Sequence, residues 1–314
     1  MDDRTGHARQ VEGVVAALGG GRLIRLAYGR RPLGPDLLAP TTLAHLAPAS
    51  RAVLTPPWPL IAVAAGRRPA AALRWLKRRR GDRLFAVQLM RPARLDGFDL
   101  VAVPAHDRPR PHPRVVTTTG APHPFDRASL DRAAAELPAA AAALPAPYVA
   151  VLVGGPTRGV RFAAADLDRL AAAVDDLARR LGASVLATTS PRSPASAAAR
   201  LSAKLTVPHH VHDIRASAAN PLRAWLGVAA RVVVTADSAS MLSEAAATGV
   251  PVHVFPLGGR RAKFARLQAA LAEAGVVQPW IDEASPPPAP LDEAGRLARI
   301  IRQHVATQAP SRGR

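Results

Sequence analysis

Residues Arg231 to Leu257, RVVVTADSASMLSEAAATGVPVHVFPL, constrain the fold most, because they predict a strand, a loop, a helix and a second strand in direct succession. The apolar run Val232 to Val234 is typical of a buried parallel strand. Gly249-Val250-Pro251 predicts the end of the helix, and Val252 to Phe255 resumes extended structure. A unit of this kind belongs to an α/β sheet.

The loop of this unit is the first candidate for a binding site. Open α/β sheets bind ligands at the carboxyl ends of their strands, where free N–H groups of the next helix favour anions. The candidate side chains are Asp237, Ser238, Ser240 and Glu244. Two interpretations of Glu244 stay open: it stabilises the helix dipole by roughly 0.3–1 kcal/mol, or it accepts hydrogen bonds from both ribose hydroxyls of a nucleotide.

Two earlier loops repeat the arrangement. The predicted strand Tyr148 to Val153 leads into Gly154-Gly155-Pro156-Thr157, and the strand Ser184 to Ala187 leads into Thr188-Thr189-Ser190-Pro191-Arg192. Glycines there either let a ligand approach the backbone or form a tight turn. Hydroxyl groups and an arginine at a helix start suit a phosphate. Three such loops would line one edge of a sheet, with candidates Gly154, Gly155, Thr157, Thr188, Ser190 and Arg192.

The chain of 314 residues is long for one core, so two domains are expected. In the first half the pattern predicts helices at 11–18 and 69–80, strands at 23–27, 60–64, 84–89, 100–103 and 115–118, and one helix at 127–144. Leu144-Pro145-Ala146-Pro147 marks the expected boundary, giving domains 1–145 and 146–290. A last helix at 291–307 places Leu291, Leu297, Ile301 and Val305 on one face to pack back, and a disordered tail covers 308–314.

Composition limits the class of partner. The formal net charge of +19 suits nucleic acid, anionic lipid or phosphorylated substrates, although the heavy use of Arg, Ala and Pro is equally typical of a GC-rich genome. An aromatic content of 4% argues against nucleic acid, which needs stacking platforms. Without cysteine, signal peptide or long apolar segment, we expect a cytoplasmic protein.

Two further clusters have an ordinary and a functional interpretation. His209, His210, His212 and Asp213 resemble metal ligands, but no second cluster has zinc spacing, so a half-exposed strand and no metal are expected. The basic run Arg74, Lys77, Arg78, Arg79, Arg80 and Arg83 is expected to be a solvated helix end that complements the dipole rather than a lipid or nucleic-acid patch.

The amino-terminal half offers candidate catalytic residues. His7, in Thr5-Gly6-His7 ahead of the first helix, could serve as a general base or merely cap the helix. His106-Asp107 and Thr118-Thr119-Gly120 follow predicted strands. We expect this edge to face Asp237 and Glu244 across a cleft.

Several segments together resemble the mitochondrial fission factor family named for elongated mitochondria, whose bacterial members are described as predicted nucleoside-diphosphate-sugar epimerases. They include TGHARQVEGVVAALG, VVTTTGAP, VLVGGPT, TTSPRSP and, most specifically, TADSASMLSEAAATG. The resemblance implies a GT-B-like fold of two Rossmann-like, doubly wound domains facing a cleft, with the donor nucleotide on the second domain and no metal or cofactor required.

By position, the resemblance implies that Glu244 holds the donor ribose, that Asp237, Ser238 and Ser240 form the loop before it, and that Gly6-His7 is a glycine-rich loop facing the acceptor. Members usually begin with an apolar strand before TGH, whereas Met1-Asp2-Asp3-Arg4 stands here, so we expect the true start codon upstream.

Two functions follow from these observations. The first is glycosyl transfer or epimerisation of a nucleoside-diphosphate sugar, with His7 or Asp107 as the base and Arg192 with the Gly154 and Gly155 amides as the diphosphate clamp. The second is a non-catalytic adaptor that binds a protein or an anionic membrane surface, peripheral to the inner face of the membrane.

Overall fold

A computed structural model describes residues 5–30, 33–35, 38–157, 159–216, 220–259, 262–278 and 288–308. The chain divides into two compact units. Unit 1 comprises Met1–Pro124 together with Asp292–Arg314, and unit 2 comprises Phe125–Leu291. In the described residues, no helix is both long enough and apolar enough to cross a membrane.

The first elements along the chain are α1 (Thr5–Ala17), α2 (Pro48–Ala52), β1 (Ile61–Ala65), α3 (Arg67–Arg80), β2 (Phe85–Leu89), β3 (Leu100–Pro104) and β4 (Val115–Thr118). Then follow α4 (Arg127–Ala135), α5 (Ala139–Ala142), β5 (Tyr148–Val153), α6 (Ala164–Leu181), β6 (Ser184–Thr189), α7 (Ala197–Lys204), β7 (His209–His212), α8 (Leu222–Val228), β8 (Ala229–Thr235), α9 (Ala239–Ala246), β9 (Val252–Phe255), α10 (Ala262–Glu273) and α11 (Glu293–Gln308).

Unit 1 contains a parallel sheet in the order β1-β2-β3-β4. Its side chains alternate between two apolar layers, as they must along a strand. Ile61 and Val63 pack in the layer that contains α1 and α11, and Ala62 and Ala64 pack in the layer that contains α3. Helices therefore cover both faces of the sheet, as parallel sheets require.

Two predictions for unit 1 are wrong. The segment 23–27 belongs to no β-ladder, although its apolar residues are packed: Leu26 lies in a cluster with Leu46 and Ala72. The segment Thr5-Gly6-His7 is not a loop ahead of a helix, because α1 already begins at Thr5. The strands predicted around 60–64, 84–89, 100–103 and 115–118 are present.

Unit 2 contains a five-stranded parallel sheet in the order β7-β6-β5-β8-β9. From β5 the chain first builds outward through β6 and β7, and then returns to the other side of β5 for β8 and β9. Alternate residues of β5 enter different cores: Ala150 and Leu152 pack with α8 and α9, and Val151 packs with α6 and α7. The sheet is therefore doubly wound, as expected.

The division between the units differs from the expected boundary at 145. Helix α4 belongs to unit 2, because Phe125 and Leu130 pack in the same apolar cluster as Leu222 of α8. The single helix predicted over 127–144 is two helices, since Pro138 has an extended backbone (φ −56°, ψ 139°) and lacks the N–H that a continuous helix needs.

The last helix also differs in detail. Helix α11 starts at Glu293 and packs in unit 1, where Leu297 and Ile301 are fully buried and Val305 is partly buried. Leu291, predicted on the same face, instead contacts the core of unit 2. The tail predicted to be disordered lies, apart from Gln308, outside the described residues.

Candidate functional site

The strand order of unit 2 reverses between β5 and β8, which are neighbours in the sheet although α6, α7 and α8 separate them in the chain. At such a switch point the loops after the two strands diverge to opposite faces, and the crevice between them is where open α/β sheets bind ligands. The two loops here are Gly154 to Thr157 and Ala236 to Ser238, the pair that the sequence predicted to lie at one edge.

Asp237 lies at the centre of this edge, and its carboxylate is fully buried. Its Oδ1 accepts a hydrogen bond from the Thr235 hydroxyl at 2.7 Å. Its Oδ2 accepts from the Gly155 N–H at 3.0 Å and from Arg192 Nη2 at 2.9 Å. Three donors, one of them the Arg192 cation, thus satisfy the charge within the protein, which offsets the cost of burying it.

Neighbouring protein groups explain why residues 154 and 155 are glycines. A Cβ on Gly154 would lie 2.1 Å from an Asp237 carboxylate oxygen, and one on Gly155 would lie 2.0 Å from the Arg192 carbonyl oxygen. The Gly154 N–H already donates to the Thr235 hydroxyl at 2.8 Å. The Gly154 and Gly155 amides, predicted to clamp a diphosphate, therefore hydrogen-bond to Thr235 and Asp237 within unit 2, and their contact with a diphosphate stays a prediction.

The loop after β6 is joined to the loop after β5. The Ser193 hydroxyl contacts the carbonyl oxygens of Val153 at 2.9 Å and Gly154 at 2.5 Å, and it accepts from the Ser190 N–H. Arg192 donates to the Gly155 carbonyl at 3.1 Å besides its contact with Asp237. With 39% of its side chain exposed, Arg192 is a cation that a ligand at this edge can reach.

The sequence analysis missed Thr235 and Ser193, the two hydroxyl residues that connect these loops. The sequence around each of them contains a pattern that could have indicated its role. Thr235 ends the apolar run RVVVT, where a buried hydroxyl needs a partner, and Ser193 follows the predicted candidates Ser190 and Arg192 directly.

Two other candidates lie apart from this network. Thr188 contacts the Asn220 side chain at 3.3 Å and so connects β6 to the loop after β7. Thr157 forms a tight turn in which its N–H and carbonyl pair with Val160, and its buried hydroxyl has no hydrogen-bond partner in the described residues. The structure thus brings Gly154, Gly155, Ser190, Arg192 and Asp237 together, while Thr188 stabilises a neighbouring loop.

Helix α9 begins at the same edge. Ser238 is its N-cap, and the Ser238 hydroxyl accepts from the Met241 N–H at 3.4 Å. Ser240 is half-buried in the first turn, where backbone N–H groups lack carbonyl partners within the helix. Glu244, further along, is only 2% exposed. Its carboxylate is therefore enclosed by neighbouring protein groups, and its contact with a ribose stays a prediction.

The histidines of β7 pack against an aromatic ring. His210 and His212 meet the Trp225 ring edge-on at centroid distances of 5.6 and 6.1 Å. Burial, and next the charge of His210, lower the pKa of His212. Among the described residues, no group of three His, Cys, Asp or Glu side chains has an arrangement that could hold a metal ion.

The candidate residues of unit 1 are distributed over three elements. His7 is half-buried within the first turn of α1. Asp107 ends a short 3-10 turn after β3, with His106 Nε2 3.9 Å from its carboxylate. After β4, the Thr119 N–H donates to the buried Glu293 carboxylate at 2.6 Å. This last loop is thus held by α11.

The basic run on α3 is only partly a surface feature. Arg74 is buried at 1% exposure, where it donates to the carbonyls of Arg94 and Asp96 and lies over the Phe98 ring. Lys77 pairs with Asp99 at 2.9 Å. Arg78, Arg79 and Arg83 remain exposed.

A protein-family model described as mitochondrial fission ELM1 matches residues 5–305 of the chain. The mitochondrial fission protein ELM1 of Arabidopsis thaliana is 32% identical over 278 residues. That alignment covers 80% of this chain and 65% of the plant protein, so the chain spans less than two thirds of its relative.

Solved structures with a similar fold include nucleotide-sugar enzymes. The UDP-GlcNAc 2-epimerase from Methanocaldococcus jannaschii superposes with a TM-score of 0.54 at 10% identity, covering 96% of this chain and 98% of that chain. The spinosyn forosaminyltransferase SpnP gives 0.52 at 13%, covering 97% and 93%. A UDP-GlcNAc 2-epimerase from Neisseria meningitidis, solved with UDP-GlcNAc, gives 0.52 at 12%, covering 96% and 90%. At these identities the likeness shows a common GT-B-like fold.

Proposed function

The chain belongs to the mitochondrial fission ELM1 family, and from its GT-B-like fold we propose that unit 2 binds a nucleoside-diphosphate sugar at the carboxyl edge of β5 and β8. The observation that carries the proposal is the reversal of strand order between these strands, because open α/β sheets bind ligands at such a reversal, and the amino terminus of α9 and the exposed Arg192 guanidinium lie beside it. The proposed occupant is a substrate, and no further cofactor is needed.

The groups proposed to contact the phosphates lie at the start of α9 and at Arg192. The first-turn amides of α9 and the Ser240 hydroxyl point to an anion at the helix start, where the helix dipole favours negative charge. Arg192 is the proposed cation. Its guanidinium can contact a phosphate while it stays paired with Asp237. Gly154 and Gly155 act indirectly, by allowing Asp237 and Arg192 to approach.

The reaction proposed is glycosyl transfer or epimerisation. Transfer needs a base that accepts the proton of the attacking hydroxyl, and His7 and Asp107 of unit 1 are the candidates. Both are reachable by solvent in part, as a base must be to exchange protons. Turnover by His7→Gln and by Asp107→Asn separates them, because only the variant that lacks the base should lose activity.

The binding proposal is tested by calorimetry and thermal shift with UDP, GDP, CDP and dTDP and their sugars, since a ligand of the folded state raises its apparent stability. The decisive variant is Ser240→Asp. A carboxylate in the first turn of α9 suits the helix dipole and leaves the fold intact, but it occupies the place of the phosphate. We expect the affinity to fall by about tenfold or more.

The matched control is Ala139→Asp, which adds the same charge to the first turn of α5. Helix α5 lies near the amino end of β5, since Ala141 packs with Tyr148, at the edge opposite the proposed site. Equal binding by the wild type and both variants would contradict the proposed site. Absence of binding to every nucleotide would contradict the proposed function.

A non-catalytic adaptor is the second candidate, and one observation favours it. Asp237 and the Gly154 and Gly155 amides form hydrogen bonds with one another and with Thr235 inside unit 2, as in a fold kept for its shape. An adaptor for anionic membranes predicts co-sedimentation with phosphatidylserine vesicles that fades with salt. Replacement of Arg78, Arg79 and Arg83 by Gln should abolish it, whereas wild-type levels of sedimentation by this variant would exclude that surface.

A further inference from the structure

Two strand connections of unit 1 run without a crossover helix. Parallel strands are usually joined by such a helix, but residues 90–99 lead from β2 to β3 as irregular chain, and residues 105–114 lead from β3 to β4 with only a short 3-10 turn. Each connection bends at a residue with left-handed backbone, Met90 (φ 71°) and Arg108 (φ 49°). Side chains other than glycine rarely adopt this conformation, so the surrounding structure holds both bends in place.

The two connections lie side by side. The Arg91 guanidinium donates a hydrogen bond to the Asp107 carbonyl at 2.9 Å and so joins the first connection to the second. The pKa of the Asp96 carboxyl is lowered mainly by a hydrogen bond from Arg94, and also by the charge of Arg114, which therefore lies nearby. The exposed side chains of residues 91–96 and 108–114 thus form one surface, which we name the arginine surface.

The arginine surface has an excess of positive charge. Its exposed cations are Arg91, Arg94, Arg108, Arg110 and Arg114. The carboxylates of the two connections compensate only part of this charge. Asp96 pairs with Arg94 at 2.6 Å, Asp99 pairs with Lys77 of α3 at 2.9 Å, and Asp107 is half-buried. The surface therefore favours an anionic partner.

Prolines stiffen the segment 108–114, RPRPHPR, which is exposed along nearly its whole length. Proline fixes its own φ at about −65° and disfavours helix at the residue before it, so Arg110 and His112 are held extended. The end of the segment is anchored, because the Arg114 N–H donates to His112 Nδ1 at 3.1 Å and the Val115 N–H donates to the His112 carbonyl at 2.9 Å. The backbone thus has little conformational freedom to lose on binding.

The spacing of these arginines matches that of acidic side chains on an extended peptide. With a rise of about 3.1 Å per residue, Arg108 and Arg110 lie about 6 Å apart along the chain. Acidic residues two positions apart in an extended peptide are separated by about 6.6 Å. A guanidinium can also bind a carboxylate through two parallel hydrogen bonds. We infer that the arginine surface binds an extended acidic segment of a partner protein.

Other anionic partners match this surface less well. Binding of single-stranded nucleic acid relies on aromatic side chains that stack with the bases. In the two connections the one Phe, Tyr or Trp residue is Phe98, which is 2% exposed. Binding to a membrane surface gains strength from apolar side chains beside the charges, and the segment 108–114 contains only arginine, proline and histidine. An acidic peptide requires neither aromatic nor apolar contacts.

The test is fluorescence anisotropy of the full chain with a labelled peptide of alternating Glu and Ser residues. The decisive variant is Arg108→Asn with Arg110→Gln, because asparagine tolerates the left-handed backbone of residue 108. The matched control, Arg22→Asn with Arg25→Gln, removes two exposed arginines elsewhere in unit 1. We expect the wild type and the control to bind equally and the affinity of the decisive variant to fall by about tenfold or more.

Both variants change only exposed side chains, so their melting temperatures should stay within about 2 °C of the wild type. Equal affinity of the wild type and the decisive variant, or absence of peptide binding to the wild type, would overturn the inference. Tighter binding of oligouridylate or of phosphatidylserine vesicles, lost in the same variant, would also overturn it and assign the surface to nucleic acid or to a membrane. These measurements contain no nucleotide, so this inference and the proposed function fail independently.

Discussion

At the scale of single residues, Gly155 is where the loops after β5 and β6 approach most closely. Since a Cβ would lie 2.0 Å from the Arg192 carbonyl oxygen, Gly155→Ala must displace backbone rather than a flexible side chain. We expect a loss of about 3 kcal/mol or more in the free energy of unfolding, measured by urea titration. In Gly258→Ala the new Cβ would meet open space, so the free energy of unfolding should change little. Similar free energies of unfolding for Gly155→Ala and Gly258→Ala would contradict this explanation of why residue 155 is glycine.

The Arg192–Asp237 pair makes a second prediction. Removing the cation with Arg192→Met leaves a fully buried carboxylate with only the Thr235 and Gly155 donors. Breaking a buried pair costs about 3–5 kcal/mol, and the partial exposure of Arg192 lowers our expectation to about 2 kcal/mol. A double-mutant cycle with Asp237→Asn should give a coupling energy of at least about 1 kcal/mol. Additive effects would show that the contact contributes nothing to stability.

At the scale of elements, one carboxylate joins α6 to the start of β7. Asp175 accepts hydrogen bonds from the Thr206 N–H at 2.6 Å, the Thr206 hydroxyl at 2.8 Å and the Val207 N–H at 3.1 Å, and it pairs with Arg179. Burial raises the pKa of Asp175, but these hydrogen bonds outweigh it and hold the pKa below its ordinary value of 3.8. The charged form is therefore the one that stabilises the fold.

Asp175→Asn should reduce the free energy of unfolding by about 2–3 kcal/mol at pH 7. Because the folded pKa is lowered, the stabilisation is fully present above the unfolded value of 3.8 and is lost as the pH falls through the folded pKa. Urea titrations should thus show the wild type and variant converging in acid. The control Asp176→Asn, which removes an exposed pair with Arg180, should cost under about 0.5 kcal/mol. If the free energies of unfolding of the wild type and Asp175→Asn differed by the same amount from pH 7 to pH 2, the stabilising role of the Asp175 charge would be contradicted.

The sequence predicted the elements of unit 2 well, because its strands, apart from the histidine-rich β7, are apolar runs followed by turn residues. It placed Gly154, Ser190, Arg192 and Asp237 at one sheet edge for the right reason, the parallel order of the strands. It could not show that Asp237 binds the Gly155 amide and Arg192, since contacts between residues so far apart in the chain depend on tertiary packing.

The errors in unit 1 have a common origin. Residues 23–27 have the composition of a strand but no ladder partner, and strand formation depends on a neighbour as much as on propensity. Similarly, Gly6 indicated a loop, yet α1 includes it because Val11 and Val14 bury this helix against the sheet. Local propensity is a weak guide where packing decides.

At the scale of the whole molecule, α11 is a long-range part of unit 1. Leu297 and Ile301 are fully buried among Val11, Val14 and Phe85. We expect Ile301→Ala to destabilise by about 2–5 kcal/mol, with faster hydrogen exchange in unit 1 and unchanged exchange in β5 and β6 of unit 2. Gln303→Ala on the exposed side of the helix is the control. If Ile301→Ala accelerated amide hydrogen exchange equally in both units, the two units would unfold together.

The position of α11 at the end of the sequence also matters while the protein is being made. Unit 1 leaves the ribosome first, but α11, which covers one face of its sheet together with α1, comes only after the whole of unit 2. At roughly 5–20 residues per second, Ile301 follows Pro124 by about 10–35 s. During that interval the surfaces of Val11, Val14 and Phe85 that pack against α11 face water, so the nascent amino-terminal unit is the part of this protein most in need of a chaperone.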